Sequence, residues 1–180
     1  AAVLKAPPML RRIRSMGLLL MALALAGLPL HAVAAIPAPY SAIVVEPTVT
    51  GKRHEFDLDP ALSRARSENK RLYVYLGAHD CPFCRRYEAF LAANASELAP
   101  HFVAERYLVV DLRSALSVRS DQWFIKAGGR SLGYVEFQTS IGDERTRQIV
   151  YPSVWLLSID LKPLMQMPAG TGTFETMEEQ

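Results

Sequence analysis

The sequence lacks the features that mark several common classes of protein. Its formal net charge is only +2, and its basic residues form no stripe interleaved with aromatic residues, so a nucleic-acid partner is not indicated. The pair Gly128-Gly129 lacks the context of a phosphate-binding loop, and no serine–histidine–acid motif is present. Because the chain has 2 cysteines, a structural zinc site, which normally needs four protein ligands, is also disfavoured.

No internal repeat or low-complexity tract interrupts the 180 residues, of which 50% are hydrophobic. A chain of this length and composition can bury enough apolar surface for one compact domain with its own core. The small positive charge partly reflects basic residues near the N-terminus, and it indicates no particular partner.

Residues 1–34 have the features of an export signal. Arginines between residues 11 and 14 form a charged segment, and the apolar run 16–30 follows it. That run is short for a membrane span, which needs about 20 apolar residues. Ala32-Val33-Ala34 has the form of a cleavage site. We therefore predict a signal peptide at 1–34, with the mature protein beginning at Ala35 in a bacterial periplasm.

Two details refine this prediction. Residues 1–8 are expected to lie upstream of the true initiator, Met9. The cleavage junction has no cysteine, so a lipoprotein anchor is not indicated. The alternative is an uncleaved N-terminal anchor, which would place the rest of the chain in the same compartment.

The two cysteines, Cys81 and Cys84, stand where a strand pattern gives way to a helix pattern. Residues 72–76 form an apolar, β-prone run that breaks at Gly77. If Cys81 lies at a helix N-terminus, unpaired backbone N–H groups and the helix dipole favour its thiolate. Pro82 then takes the first helical position, where its missing N–H costs nothing. Cys84 lies one turn later on the same face, within reach of a disulfide, and this order is typical of a redox-active dithiol.

The alternative is a structural disulfide, because an exported protein meets an oxidising compartment. A bridge across two intervening residues closes a very small loop and removes little entropy from the unfolded chain. Such a bridge would be a poor stabiliser, so the spacing favours a redox role.

With these residues in view, the sequence resembles the thioredoxin superfamily. The motif Cys81-Pro82-Phe83-Cys84 has the form seen in glutaredoxins and in some bacterial disulfide enzymes, and the run 150–157 resembles the family's cis-proline loop and following strand. The resemblance runs from about residue 59 to the C-terminus. It implies an α/β, thioredoxin-like fold with a central mixed sheet flanked by helices. It also implies a cis bond before Pro152 beside the dithiol, although only about 5% of X–Pro bonds in folded proteins are cis.

The resemblance also implies roles for the site residues. Cys81 is expected to be the exposed nucleophile, and Cys84 the resolving thiol behind the helix start. The backbone of Tyr151 is expected to pair with an extended client segment like an added strand. The ring of Pro152 is expected to block metal capture at the thiols.

Four neighbours are candidates for tuning the thiols: His79, Asp80, Arg85 and Glu88. His79 could stabilise a thiolate when protonated, and Arg85 could add positive field. Asp80 replaces the tryptophan that often precedes the first cysteine in thioredoxins, and its carboxylate would oppose thiolate formation. Tyr75 stands where thioredoxins usually carry a buried acid that relays protons. Proton transfer is therefore expected to use water, Glu88 or another group.

The remaining patterns predict the order of elements. A leader is expected at 35–55, with an edge strand at 42–46, and a thioredoxin-like domain at 56–180. Helices are predicted at 59–70, 82–94, 114–126 and 174–179, a connector at 97–101, and strands at 54–58, 72–76, 102–112, 133–137, 146–151, 153–158 and 163–167. Strands 133–137 and 146–151 would form a β-hairpin within an insertion at about 113–150. The aromatic residues of helix 82–94, including Phe83, are expected in the core.

These observations predict thiol–disulfide exchange on protein clients, without a cofactor or a metal ion. We prefer a reductase, because the chain resembles exported thioredoxin-like proteins that keep a client's thiols reduced. Such a protein needs electrons from a membrane donor or a similar partner. The alternatives are an oxidase or isomerase of the same fold, a Cu(I) delivery module with His79, Met165 or Met167 as extra ligands, and a non-catalytic interaction domain that uses residues 128–150.

Overall fold

The strands and helices follow from the spacing of apolar residues along the chain. The computed structural model describes residues 36–142, 148–165 and 176–180. Within these ranges the strands are β1 Ile43–Val45, β2 Thr48–Thr50, β3 Arg53–Asp57, β4 Arg71–Ala78, β5 Tyr107–Ser114, β6 Trp123–Ala127, β7 Arg130–Gly133, β8 Ser153–Leu157 and β9 Pro163–Met165. The helices are α1 Asp59–Ser67, α2 Pro82–Ala93, α3 Ala95–Ala104 and α4 Tyr134–Ser140, with a short 3-10 turn at Ala38–Tyr40.

Two long strands form the middle of the larger sheet. β4 and β5 pair in parallel over their full length, from Arg71 opposite Tyr107 to Ala78 opposite Ser114. β1 pairs in parallel with β5, while β8 pairs antiparallel with β4 and β9 antiparallel with β8. The sheet is therefore mixed, with the strand order β1-β5-β4-β8-β9.

A smaller sheet has the strand order β2-β3-β6-β7. Its middle strands β3 and β6 are parallel, and the outer strands β2 and β7 pair antiparallel with them. Phe56, Trp123 and Ile125 are fully buried in one core cluster with Val74 and Leu76 of the larger sheet. The protein is thus an α/β protein with mixed sheets flanked by helices.

Both faces of the larger sheet are buried. Successive side chains of a strand point to opposite faces, so Leu72 and Val74 join the core shared with α1, α4 and the smaller sheet. Tyr73 and Tyr75 join a second core formed with α2, α3 and the segment around Tyr40. This two-sided burial explains why β4 is a continuous apolar run in the sequence.

The structure of residues 114–127 contradicts the helix predicted at 114–126. Its second half is strand β6, in which Trp123, Ile125 and Ala127 are buried and the residues between them are half-buried. Gly128 and Gly129, with φ of 62° and 75°, form the turn from β6 to β7 rather than the end of a helix. Burial in this segment repeats every two residues, as in a strand, and β6 pairs in parallel with β3. That pairing joins segments that lie far apart in the sequence.

A β-hairpin does lie within 113–150, but it consists of β6 and β7. The predicted strand 133–137 was wrong, because Tyr134–Ser140 is helix α4, with Tyr134, Phe137 and Gln138 buried at helical spacing. Of the predicted strand 146–151, residues 146–147 lie outside the described residues and residues 148–151 form no strand.

The predicted connector 97–101 was also wrong. These residues belong to α3, whose buried residues Leu98, Ala99 and Phe102 recur at helical spacing. Pro100 lies within this helix.

The segment 35–55 contributes to both sheets. β1 confirms the edge strand predicted at 42–46, and β2 and the first residues of β3 belong to the smaller sheet. The described residues all fall within one compact unit, Ala34–Gln180. The predicted signal peptide lies outside the described residues, as do residues 174–175 of the predicted C-terminal helix, and residues 176–180 form no helix. Among the described helices, none has the length and apolar character needed to cross a membrane.

Candidate functional site

The two cysteines lie at the junction between β4 and α2. A turn closed by a hydrogen bond from the Cys81 backbone N–H to the Ala78 carbonyl, 3.0 Å, leads from the strand to the helix. Cys81 is the N-cap residue, and Pro82 stands at the start of α2. The Sγ of Cys81 accepts a hydrogen bond from the Cys84 backbone N–H at 3.2 Å. The helix start therefore presents an N–H donor to this sulfur, as the sequence predicted.

Cys84 is fully buried behind the helix start. Its Sγ accepts a hydrogen bond from the Ala78 backbone N–H at 3.5 Å. Burial, with a smaller effect from the adjacent Cys81, raises the pKa of the Cys84 thiol to about 12. Both cysteines are free thiols, so Cys84 is a protonated, water-shielded sulfur next to Cys81.

The prediction that Cys81 is exposed was wrong, because only 1% of this residue is accessible. The Tyr151 backbone covers it: the Cys81 thiol donates to the Tyr151 carbonyl at 3.8 Å, and Tyr151 packs against the cluster of Ala78, Cys81 and Cys84. The sulfur thus has one contact that suits a thiolate, the Cys84 N–H, and one that needs a thiol, the Tyr151 carbonyl.

The loop before β8 lies beside the dithiol. Its Tyr151–Pro152 bond is cis, which confirms the conformation predicted from the resemblance. The Tyr151 hydroxyl is hydrogen-bonded to the Ser114 hydroxyl at 2.8 Å, and the hydroxyl of Ser153 donates to the Val150 carbonyl at 2.6 Å. Burial raises the pKa of Tyr151 to about 12, so it remains a neutral donor or acceptor. These contacts fix the Tyr151 carbonyl over Cys81.

Three of the candidate tuning residues hold the loop before Cys81. The Nδ1 of His79 donates to the Ser114 carbonyl at 2.9 Å, and Arg85 donates to the His79 carbonyl at 2.8 Å. The Asp80 carboxylate accepts from the Leu116 N–H at 2.8 Å, and this bond is the main reason that its pKa is lowered. All three side chains are hydrogen-bonded to backbone groups, so they hold the loop in its conformation.

Glu88 lies on α2, one turn after Cys84. The Tyr75 hydroxyl donates to its carboxylate at 2.8 Å. Burial raises the pKa of Glu88 more than this hydrogen bond lowers it, and the nearby Asp111 adds to the rise. Burial is also the main cause that raises the pKa of Tyr75, followed by the charges of Cys84 and Glu88.

Sequence reasoning missed Ser114 and Asp111. Ser114 ends β5 and holds Tyr151, but a serine at the end of an apolar strand carries no signal of that contact. Asp111 is fully buried with its Oδ1 unpaired, and its Oδ2 accepts from the Ile36 N–H. A single carboxylate within an apolar strand was the available signal for Asp111.

The ligands proposed for a Cu(I) module are not shown to converge on the dithiol. The ring of His79 is bonded to the Ser114 carbonyl, Met165 lies in the edge strand β9, and Met167 lies outside the described residues. In the described part of the chain, no three His, Cys, Asp or Glu side chains lie close enough to hold a metal ion.

Comparison of the chain with protein-family models, curated proteins and solved structures finds no match. The chemistry of the protein therefore rests on the arrangement of its own residues.

The Tyr151→Phe substitution should make Cys81 easier to alkylate. It removes the hydrogen bond to Ser114, which is worth about 1 kcal/mol. In a Cys84→Ser background we expect iodoacetamide to modify Cys81 about 5-fold faster, measured by mass spectrometry. Tyr107→Phe, which changes a half-buried tyrosine at the far end of β5, is the control and should have no effect. Equal rates in the Tyr151→Phe variant and its parent would show that this hydrogen bond does not hold the Tyr151 backbone over Cys81.

Proposed function

We propose that this protein catalyses thiol–disulfide exchange on protein clients as a thioredoxin-like oxidoreductase. The observation that carries the proposal is the pair of free thiols at the start of α2, with the Cys81 sulfur between the Cys84 N–H and the Tyr151 carbonyl. The mixed sheet flanked by helices and the proline loop beside the dithiol support the thioredoxin-like assignment, because the motif resemblance implied both.

The reaction begins with the Cys81 thiolate. It attacks a client disulfide, forms a mixed disulfide with one client sulfur and releases the other as a thiol. Cys84 then loses its proton and attacks the Cys81 sulfur, which forms the Cys81–Cys84 disulfide and releases the second client thiol. The client gains two electrons and the dithiol loses two, so a separate donor must reduce the pair before the next cycle.

Client binding also accounts for access to Cys81. The carbonyl that covers this sulfur belongs to Tyr151, the backbone expected to pair with an extended client segment. A client N–H that takes the Tyr151 carbonyl replaces the thiol as its donor and frees the sulfur. Exchange is thereby coupled to binding of a client strand.

The proposed direction is reduction, and the proposed compartment is the periplasm, with electrons from a membrane donor or a similar partner. This part rests on the export signal predicted from the sequence and on the resemblance to exported thioredoxin-like proteins. The cycle through Cys81 and Cys84 needs no cofactor.

The test is to equilibrate the protein with defined ratios of reduced and oxidised glutathione and to measure the state of the dithiol. A reductase should give a potential near the value of about −270 mV typical of thioredoxin, whereas about −120 mV would identify an oxidant. The reduced protein should also reduce the disulfides of insulin, and a Cys81→Ser/Cys84→Ser variant should not. If the wild-type protein reduces no disulfide and donates none, the proposed function is wrong.

A further inference from the structure

The Cys84 thiol has no direct route to water. It is 0% exposed, and burial raises its pKa to about 12. In the proposed function this thiol must lose its proton before it attacks the Cys81 sulfur. The raised pKa opposes this loss of the proton, unless a group close to the buried sulfur accepts it.

Tyr75 extends along β4 towards that sulfur. Its ring lies over Gly77: a Cβ added at Gly77 would lie 2.6 Å from the ring Cε1 and 2.9 Å from the hydroxyl oxygen. The residue after Gly77 is Ala78, whose N–H is bonded to the Cys84 sulfur. The Tyr75 hydroxyl and the Cys84 thiol are close enough for each to shift the pKa of the other. Glycine at position 77 leaves the space that this contact needs.

Glu88 continues the path from Tyr75 towards solvent. It lies four residues after Cys84 on α2, so both side chains are on the same face of the helix. Its Oε1 accepts from the Tyr75 hydroxyl at 2.8 Å, and the residue is half-buried, whereas Cys84 is fully buried. One hydroxyl therefore connects the buried thiol with a carboxylate that reaches the edge of the core.

Burial and charged groups on two elements set the proton affinity of Glu88. From β5, Asp111 raises the pKa of Glu88 and Arg113 lowers it; from α2 itself, Arg85 lowers it. Burial is the largest effect and acts in the upward direction. A carboxylate with a raised pKa is a stronger proton acceptor than an exposed one.

We propose that Glu88 is the proton acceptor for Cys84 during resolution of the mixed disulfide, and that the Tyr75 hydroxyl carries the proton between them. The inference rests on the proposed function and assigns a step of that reaction to two residues outside the Cys-Pro-Phe-Cys motif.

In this step the Cys84 S–H bond breaks and its proton passes to the Tyr75 oxygen, while the original hydroxyl proton of Tyr75 passes to the Glu88 carboxylate. The Cys84 sulfur attacks Cys81, the Cys81–client bond breaks, and the client sulfur leaves as a thiolate that takes a proton from water. Tyr75 ends unchanged, and Glu88 becomes a carboxylic acid that releases its proton to solvent.

The experiment uses 5,5′-dithiobis(2-nitrobenzoate) as the disulfide, followed by stopped-flow absorbance. Attack by Cys81 releases the first thionitrobenzoate at a rate that depends on reagent concentration. Attack by Cys84 releases the second at a rate that does not. Tyr75→Phe and Glu88→Gln should each slow the second phase by at least about 100-fold and leave the first phase unchanged. The unchanged first phase also shows that the variant is folded.

The pH profile separates proton transfer from a structural effect. In the wild-type protein the second-phase rate should rise as pH increases through the raised pKa of Glu88, because only the carboxylate accepts a proton. In Glu88→Gln this rise should disappear. Tyr73→Phe, which removes another buried hydroxyl from the same face of β4, is the matched control and should keep the wild-type profile.

The outcomes distinguish the two proposals. If the wild-type protein gives neither phase and leaves the disulfides of insulin intact, the proposed function fails. If the wild-type protein gives both phases, and Tyr75→Phe and Glu88→Gln keep its second-phase rate and pH profile, the proton path is wrong while the function stands. A slower second phase with an unchanged pH profile would also overturn the path, because it would show a structural role only.

Discussion

The Cys84→Ser variant is expected to accumulate a stable mixed disulfide with a client protein, whereas the Cys81→Ser variant is expected to form none. Cys81 caps α2 and is held by the backbone loop that a client would engage, so it is the sulfur that meets the client. Cys84 is enclosed behind it, so its loss should block release of the client and not the first attack. Turnover of a client disulfide should fall to background in both variants.

The measurement is non-reducing electrophoresis with intact-mass analysis after incubation with an excess of oxidised client. The trapped species should have the summed mass of the protein and one client chain, and dithiothreitol should release both. The Cys81→Ser/Cys84→Ser variant controls for non-covalent association. Trapping only in the Cys81→Ser variant would reverse the assigned roles, and trapping in neither would remove Cys81 as the attacking sulfur.

The burial of Cys81 adds a condition to this result. A thiol donating to the Tyr151 carbonyl is protected from reagents that bring no competing backbone N–H. Clients with an extended segment next to the disulfide should therefore react faster than small disulfides of equal reduction potential. This selectivity comes from the tertiary position of the loop, which a motif does not encode.

The elements around the dithiol could be predicted because their signals are local. The apolar run of β4, the proline at the start of α2 and the two cysteines all lie within one short stretch, and each has a direct physical meaning. The same stretch shows the limit of local patterns. Phe83 was expected in the core at helical spacing, but it is 68% exposed, while Tyr87 is buried. An aromatic residue in the first turn of the helix lies beyond the edge of the core.

The region 113–150 was mispredicted because its structure depends on distant partners. β6 is a strand because β3, nearly seventy positions earlier, pairs with it in parallel from His54 opposite Trp123 to Asp57 opposite Lys126. α4 is a helix because Tyr134 and Phe137 meet the core that this pairing creates. Tertiary contacts override local propensity in such segments. The contact that buries Cys81 also depends on tertiary structure, because Tyr151 lies far from Cys81 in the sequence and reaches it only in the folded chain.

The Trp123→Ala substitution should give the largest loss of stability among single changes in the core. Trp123 is 0% exposed, and its ring lies 5.3 Å from the rings of Phe56 and Tyr134 and 6.4 Å from that of Trp155, centre to centre. Trp123 belongs to the smaller sheet and Trp155 to β8 of the larger sheet, so the cavity would open where the sheets meet. Replacing a buried tryptophan by alanine costs about 3–5 kcal/mol, against a total of about 5–15 kcal/mol for a typical domain.

Urea unfolding followed by far-UV circular dichroism should show this loss as a fall in the midpoint. Trp123→Phe should cost much less, because it keeps most of the ring volume and removes an indole N–H that has no hydrogen-bond partner. Val103→Ala, at a residue that is 75% exposed, is the surface control and should change the free energy of unfolding by less than about 0.5 kcal/mol. Because β8 begins directly after Pro152, loss of Trp123 should also loosen the loop over Cys81 and speed its alkylation at urea concentrations below the transition. A Trp123→Ala protein as stable as the Val103→Ala control would show that the two sheets do not depend on this contact.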